Sequence, residues 1–375
     1  MERYLGENTP KLGFGLMRLP KLPGGKTDIE QVKKMVDLFM GAGMTYFDTA
    51  FVYDKGGSEA AAKEALVDRY PRESFTLATK LNCPMGASNE KDAKQELFTS
   101  LERTGAGYID YYLIHGIGQR NIKYYEDFGI FDFVREQKAA GLIKHWGFSF
   151  HDTPEMLDEL LTKYPDAEFV QIQLNYADWE APNVQSRACW EVIRKHNKPV
   201  VIMEPVKGGS LATPQAEVQT ILKEANPDAS FASWAIRYAA SLDGILTVLS
   251  GMTSIEQMED NISFMKDFKP LTDEEQEVIK KAQAVLNGNA AVPCTGCSYC
   301  TAGCPMQIPI PEIFAARNKD LIWGKTDEAK ADFAKAVEGK GKPSDCIECK
   351  QCETVCPQHM MITRLLKEQV EYFEK

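Results

Sequence analysis

The chain has 375 residues, more than one ordinary domain, so a main body with an appendage is the first expectation. Its 44% apolar and 26% charged residues exclude a largely disordered chain, and 54 acidic against 43 basic residues, a formal charge of -11, argue against nucleic acid and anionic membrane as partners. No apolar run approaches the roughly 18 residues of a membrane span, and Met1-Glu2-Arg3-Tyr4-Leu5 lacks the basic-then-apolar layout of a signal peptide, so a cytoplasmic protein is expected.

In chain order, apolar Ile29, Val32, Met35, Val36 and Phe39 recur at helical spacing and predict a helix over 29–40, ended by Gly41 and Gly43. A strand at 44–48 and a helix at 58–67 follow. Further strands are predicted at 75–79, 111–114, 143–148, 169–174, 200–203 and 246–250, and helices at 93–103, 132–140, 154–161, 186–195, 230–240 and 273–286. Such repetition marks a parallel α/β architecture. A doubly wound sheet and a closed (β/α)8 TIM barrel both satisfy it. Seven readable strands, a short eighth expected near 264–268, and the length favour the barrel. No Gly-x-Gly-x-x-Gly follows the first strand, which weakens the doubly wound alternative. At Asn287-Gly288-Asn289 the composition shifts to Cys, Pro and Gly, so the expected domains are a barrel over 1–286 and a small α+β or helical domain over 287–375.

Only Cys83 and Cys189 of the ten cysteines precede residue 290. A disulfide scaffold is normally short and spreads its cysteines, so this clustering reads as metal ligation. Cys294-x2-Cys297-x2-Cys300-x3-Cys304-Pro305 is repeated as Cys346-x2-Cys349-x2-Cys352-x3-Cys356-Pro357. Two-residue spacers let three thiolates converge on one cubane from a single loop, while the fourth, followed by proline, reaches the neighbouring cluster. Cys294, Cys297, Cys300 and Cys356 are thereby assigned to one [4Fe–4S] centre, and Cys346, Cys349, Cys352 and Cys304 to the other. Zinc is the alternative, but its sites usually pair two Cys-x2-Cys knuckles rather than three cysteines in tandem. The repeat resembles the bacterial two-cluster ferredoxin module, with a longer insert between Cys304 and Cys346 that holds helical stretches at 310–316 and 328–337.

Four polar residues stand at or just beyond the ends of what read as the first three strands: Asp48, Tyr53, Lys80 and His115. Singly, these are a helix cap, a rim aromatic, a solvated end charge and a core histidine. A parallel barrel opens all its strand C-termini at one mouth, where the four converge. The segments Phe47-Asp48-Thr49-Ala50 with Tyr53, Thr79-Lys80, Tyr108-Ile109-Asp110-Tyr111-Tyr112-Leu113-Ile114-His115-Gly116, Gly147-Phe148-Ser149 and Val170-Gln171-Ile172-Gln173 resemble the aldo/keto reductase family over roughly residues 1–285. The whole chain is similar to the bacterial branch in which that barrel carries a ferredoxin-like tail.

The resemblance implies an NAD(P)-dependent enzyme that interconverts a carbonyl and an alcohol. In it Tyr53 is the proton donor, Lys80 lowers the phenol's pKa, Asp48 holds Lys80, and His115 orients the carbonyl oxygen. It also implies that Asp48, Ser149 and Gln171 bind the nicotinamide end of the cofactor. Met203 stands before Pro205 where the family usually has a ring-stacking tyrosine, and Lys207-Gly208-Gly209-Ser210 reads as a pyrophosphate loop. Gly251, Thr253, Gln257, Asp260 and Asn261 match the segment holding the adenosine end. Gly251 and Gln257 replace the family's usual basic residues for a 2′-phosphate, so NADP and NAD both stay open. Phe51, Cys83 and the stretch 116–128, with Tyr124 and Tyr125, are expected to line the substrate mouth. The clusters suggest a flavin or ferredoxin electron partner. An electron-transfer or regulatory protein using the barrel as a nucleotide platform is the alternative.

Overall fold

The computed structural model describes residues 5–286 and 291–375; the boundary read at Asn287-Gly288-Asn289 lies outside the described residues, as does the Met1–Tyr4 start. Eight parallel strands close a barrel in sequence order: β1 (Leu12–Gly15), β2 (Tyr46–Asp48), β3 (Thr76–Leu81), β4 (Ile109–Ile117), β5 (Ile143–Phe150), β6 (Val170–Gln173), β7 (Val200–Met203) and β8 (Ile245–Ser250). β1 pairs with both β2 and β8 and so closes the ring.

This corrects the strand count at one point. The expected strand near 264–268 is instead the end of a helix, Ile255–Met265, and the turn after it. The missing strand is β1, whose Leu-Gly-Phe-Gly sequence gives little strand signal because glycine is depleted from strands. A Cβ on Gly13 would come within 2.8 Å of Leu249 Cδ2 and 3.3 Å of Tyr46 Cδ1, so those side chains would have to shift to admit one. Asp48, Lys80 and His115 therefore belong to the second, third and fourth strands.

Helices α1 (Ile29–Gly41), α2 (Glu90–Thr104), α3 (Ile130–Ala139), α4 (Pro154–Lys163), α5 (Ser186–Lys195), α6 (Ala216–Ala225), α7 (Phe231–Ala240), α8 (Ile255–Met265) and α9 (Asp273–Leu286) punctuate the strands. Their starts are chemically marked. Asp28 accepts the Gln31 N–H of α1 at 3.1 Å, and Thr153 accepts the Met156 N–H of α4 at 3.4 Å. α1 buries Val32, Met35, Val36 and Phe39, the stripe its spacing predicted. Inside the barrel, Tyr46, Tyr111, Leu113, Phe169, Val201 and Leu246 form a buried cluster, with Tyr111 stacking edge-on to Phe169 at 5.3 Å. Side chains thus fill the interior as a packed layer. Among the described residues no helix is long and apolar enough to cross a membrane.

The chain divides into two compact units. One runs to Pro205 and takes in Ala232–Thr272, which includes all eight strands; the other comprises Val206–Phe231 and Asp273–Lys375. In the second unit α10 (Ile310–Trp323), α11 (Thr326–Ala336) and α12 (Ile362–Gln369) surround a core of Ile308, Ile313, Phe314, Ile362 and Leu366. Cys300, Cys352 and Cys356 are members of that core. Phe333 stacks face to face on Phe373 with centroids 4.3 Å apart.

Candidate active site and cluster cysteines

β2 ends on Asp48, and the chain then turns through Tyr53–Gly56, where Asp54 and Lys55 take left-handed φ values of 50° and 55°. That turn sets Tyr53 beside the ends of β3 and β4. The Lys80 ammonium donates to Asp48 Oδ1 at 2.5 Å and to the Thr49 carbonyl at 2.7 Å, and only 1% of the residue is exposed. The same nitrogen lies 5.0 Å from the centre of the Tyr53 ring. The Tyr53 ring meets the buried His115 ring edge-on with centroids 5.8 Å apart. The structure therefore brings Asp48, Tyr53, Lys80 and His115 into one cluster, reached from three neighbouring strands.

Burial dominates the electrostatics here. It pulls the Lys80 ammonium below its ordinary value against the opposing charge of Asp48, and it pushes the Asp48 carboxyl up against Lys80. Burial, then the Lys80 and His151 charges, hold the His115 imidazole well below its usual range, so the ring is neutral. A bulge in the β4–β5 register between Ile114 and Ile117, with Gly116 at φ 62°, re-aims the strand end that carries His115.

Ser149 and Gln171 sit side by side in register with the ends of β5 and β6, both 1% exposed. The Gly116 N–H donates to Ser149 Oγ at 2.7 Å, which leaves that hydroxyl its own hydrogen to donate. Among the described residues Gln171 Oε1 and Asp48 Oδ2 are buried with no hydrogen-bond partner. Orphaned buried acceptors are uncommon and fit a site built to receive the amide and hydroxyl donors of a nicotinamide riboside. Met203 and Pro205 flank Glu204, which is left-handed at φ 57°, accepts Asn175 Nδ2 on its carbonyl at 3.1 Å and pairs with Arg18 at 3.3 Å. Arg18 carries no signal in the sequence, because it follows β1, whose glycines hide the strand.

Ser254 caps α8 by accepting the Gln257 N–H at 3.3 Å, and Gln257 Oε1 accepts the Thr253 N–H at 2.7 Å. Gln257 thus commits its amide to its own helix start. Buried Asn261 donates to Ser250 Oγ at 2.7 Å and ties α8 to the end of β8, while Asp260 is partly exposed on the same helix and Gly251 is exposed before it. Lys207 and Gly208 lie in the second unit, in a tight turn with φ values of 49° and 65°. A Cβ on Gly208 would come within 2.5 Å of the Thr295 carbonyl oxygen, so this turn is packed against the backbone next to Cys294.

One expectation for the mouth, that for Tyr125, is revised. Tyr125 is fully buried and donates its hydroxyl to the His115 carbonyl at 2.5 Å, so it supports β4 and does not line an opening. Cys83 is 1% exposed, and burial with Glu96 nearby pushes its thiol up to about 12, which makes it a packing residue. Tyr124 is 52% exposed, and Phe51 lies under the Arg103 guanidinium at 4.4 Å.

The cysteines of the two runs interleave. Cys304 from the first run and Cys346, Cys349 and Cys352 from the second line one cavity, together with Ile308 and Leu366. After burial, Cys297, Cys294, Cys356 and Cys352, in that order, push the Cys300 thiol up, so thiols of both runs surround it. Among the described residues no three histidine, cysteine or acidic side chains crowd a single point as one ion requires. Four thiols spread around a cavity are the donor set that suits a polyatomic cluster.

The Aldo/keto reductase family profile matches residues 11–284, and a 4Fe-4S dicluster domain profile matches residues 293–361. The chain belongs to the aldo/keto reductase family, with a ferredoxin-type iron–sulfur domain at its C-terminal side. Among curated relatives, the oxidoreductase YqkF of Bacillus subtilis is 23% identical over 72% of this chain and 91% of its own length. An aldo-keto reductase of Mycolicibacterium smegmatis is 32% identical over 39% of this chain and 48% of its own length. Among solved structures, the holo form of aldo-keto reductase AKR11C1 from Bacillus halodurans superposes with a TM-score of 0.59 at 26% identity, covering 75% of this chain and 95% of that one. An aldo-keto reductase from Klebsiella pneumoniae in complex with NADPH has the same fold, with a TM-score of 0.59 at 20% identity over 73% of this chain and 90% of that one.

Proposed function

We propose that this chain reduces an aldehyde or ketone to the alcohol with NAD(P)H, or runs the reverse, through Asp48, Tyr53, Lys80 and His115. A bound nicotinamide supplies the hydride. The chain's own residues handle the carbonyl oxygen. His115, neutral, donates a hydrogen bond that orients it and draws charge onto it. As alkoxide character develops, the Tyr53 hydroxyl hands over its proton, and the Lys80 ammonium beside the ring stabilises the phenolate left behind. A proton from water restores Tyr53, so one carbonyl, one hydride and one proton give one alcohol. Asp48 holds the ammonium charged and in place. The observation that carries this reading is the Lys80 ammonium, buried, paired with Asp48 and 5.0 Å from the Tyr53 ring centre.

Ser149 and Gln171 would hold the carboxamide, with Met203 and Pro205 further along the dinucleotide and Gly251, Thr253, Gln257, Asp260 and Asn261 at its adenosine end. Gly251 carries no charge and Gln257 is engaged in capping. Two missing charge-assisted contacts are worth about 1.5–3 kcal/mol each, so NADH is expected to bind within about tenfold of NADPH. A preference for NADPH above about a hundredfold would overturn that part.

The functional division is a barrel over 1–286 and a two-cluster domain over 287–375. Cys294, Cys297, Cys300 and Cys356 hold one [4Fe–4S] cluster and Cys346, Cys349, Cys352 and Cys304 the other, supported by the shared cavity and the Cys300 neighbourhood. Free thiolates and clusters suit a reducing compartment, hence the cytoplasm. Electron exchange with a flavin or ferredoxin partner is the role two one-electron centres invite. Anaerobically purified protein should contain about eight irons per chain and oxidise NADH or NADPH only when an aldehyde or ketone is added, with the alcohol as product. Cofactor binding without turnover of any carbonyl would favour the nucleotide-platform reading instead.

A further inference from the structure

Asn82 lies one residue beyond β3, is 7% exposed, and makes three hydrogen bonds that together fix its orientation. Its Oδ1 accepts the Met85 N–H at 3.1 Å, as the cap of the short turn Cys83–Gly86. Its Nδ2 lies 3.3 Å from Nδ1 of His115. Its backbone N–H donates to Glu96 Oε2 on α2 at 2.7 Å, and Glu96 is itself 2% exposed.

The Met85 contact decides which way the amide points. Turning it over would set the amide NH2 against the Met85 N–H, donor against donor, so the nitrogen has to face the imidazole. An amide nitrogen only donates, and the His115 nitrogen opposite must therefore be a bare acceptor. A neutral imidazole with Nδ1 bare carries its single hydrogen on Nε2. The hydrogen bond on one ring nitrogen thus sets what the other can do, and the remaining nitrogen becomes a donor.

We propose that Asn82 is a positioning residue that selects the Nε2–H tautomer of His115, with Glu96 anchoring the turn that carries it. This rests on the reading of His115 as the group that donates to the substrate carbonyl. In the opposite tautomer His115 would present a lone pair to the carbonyl oxygen and repel it.

Asn82→Asp separates this role from a structural one. The carboxylate keeps an oxygen for the Met85 cap but sets an acceptor against Nδ1, which draws a proton there. With the full chain, clusters in place and cofactor bound, the 15N spectrum of labelled histidine should show bare Nδ1 and protonated Nε2 for His115, and Asn82→Asp should convert Nδ1 to the protonated form. kcat should fall about 10²-fold or more, with the cofactor Kd within twofold and a new pH dependence as His115 titrates. His115→Ala run alongside keeps the two readings apart. If it leaves carbonyl reduction intact, the reading of His115 fails. If it removes activity while Asn82→Asp keeps full kcat, or if the unmodified protein shows Nδ1 protonated, the assignment to Asn82 is overturned. The spectrum of the unmodified protein carries the test even where the variant does not fold.

Discussion

In the barrel, the side chains at the mouth rest on a core that contains none of them: Tyr46, Tyr111, Phe169 and Leu246 fill the interior beneath. In the tail, by contrast, Cys300, Cys352 and Cys356 belong to the apolar core itself, packed with Ile313, Phe314 and Ile362. The first region carries its chemistry on a scaffold that stands without it. The second has the cysteines of its repeat as building material, and if they hold clusters as proposed, metal would complete a core too small to suffice alone.

Stripping iron with a chelator under anaerobic conditions should therefore separate the two regions most visibly. The tail should lose its helices and become protease-sensitive, while the parallel barrel keeps its circular dichroism and its cofactor affinity. Metal binding to a site absent from the unfolded chain is itself folding free energy, so its removal should outweigh any single substitution in the barrel. Cys304→Ala should do nearly the same, because that cysteine is drawn to the cavity of the second run. Loss of the cluster on Cys294, Cys297 and Cys300 in that variant, with the one on Cys346, Cys349 and Cys352 retained, would contradict the interleaved ligand sets.

Lys80→Met tests the barrel side. It leaves Asp48 buried and unpaired, which costs about 3–5 kcal/mol and should lower the melting temperature of the barrel alone. It should also lower kcat, since the phenol loses the cation beside it. An unchanged melting temperature would mean that the pair is not the buried one seen here.

A smaller effect concerns pH. Burial pushes the Glu96 carboxyl from its ordinary 4.5 up to about 7. The folded state thus holds this proton more tightly than the unfolded chain. The stabilisation is full below about pH 4.5 and is lost as pH rises through 7, a change of about 3 kcal/mol at most. Denaturant titrations between pH 5 and 8 should show this slope, and Glu96→Gln should flatten it.

The same contrast explains what could be read from the sequence. The iron–sulfur domain is legible because the spacing of its cysteines is local: each run falls within eleven residues, and two-residue spacers have a direct geometric meaning. Helices such as α1 and α5 were legible from their apolar stripes, and β7 from its β-branched run. β1 was not, because Gly13, closely packed against Leu249 and Tyr46, erases a strand signal. At the mouth, Asp48, Lys80 and His115 stood out as polar residues at strand ends. Asn82 and Glu96 did not: a tautomer is set by which atom faces which, and Glu96 sits in a helix otherwise rich in surface charge. Tyr125 is hard to place from sequence, because it is buried while its neighbour Tyr124 is exposed.

In the proposed mechanism Tyr53, whose ring centre lies 5.0 Å from the Lys80 ammonium, protonates the reduced carbonyl. Single-turnover mixing of the NADPH-bound full chain with an aldehyde substrate measures that step directly. Tyr53→Phe should slow hydride transfer by about 10²–10⁴-fold while leaving the cofactor Kd unchanged. Transfer at the unmodified rate in Tyr53→Phe would contradict the claim.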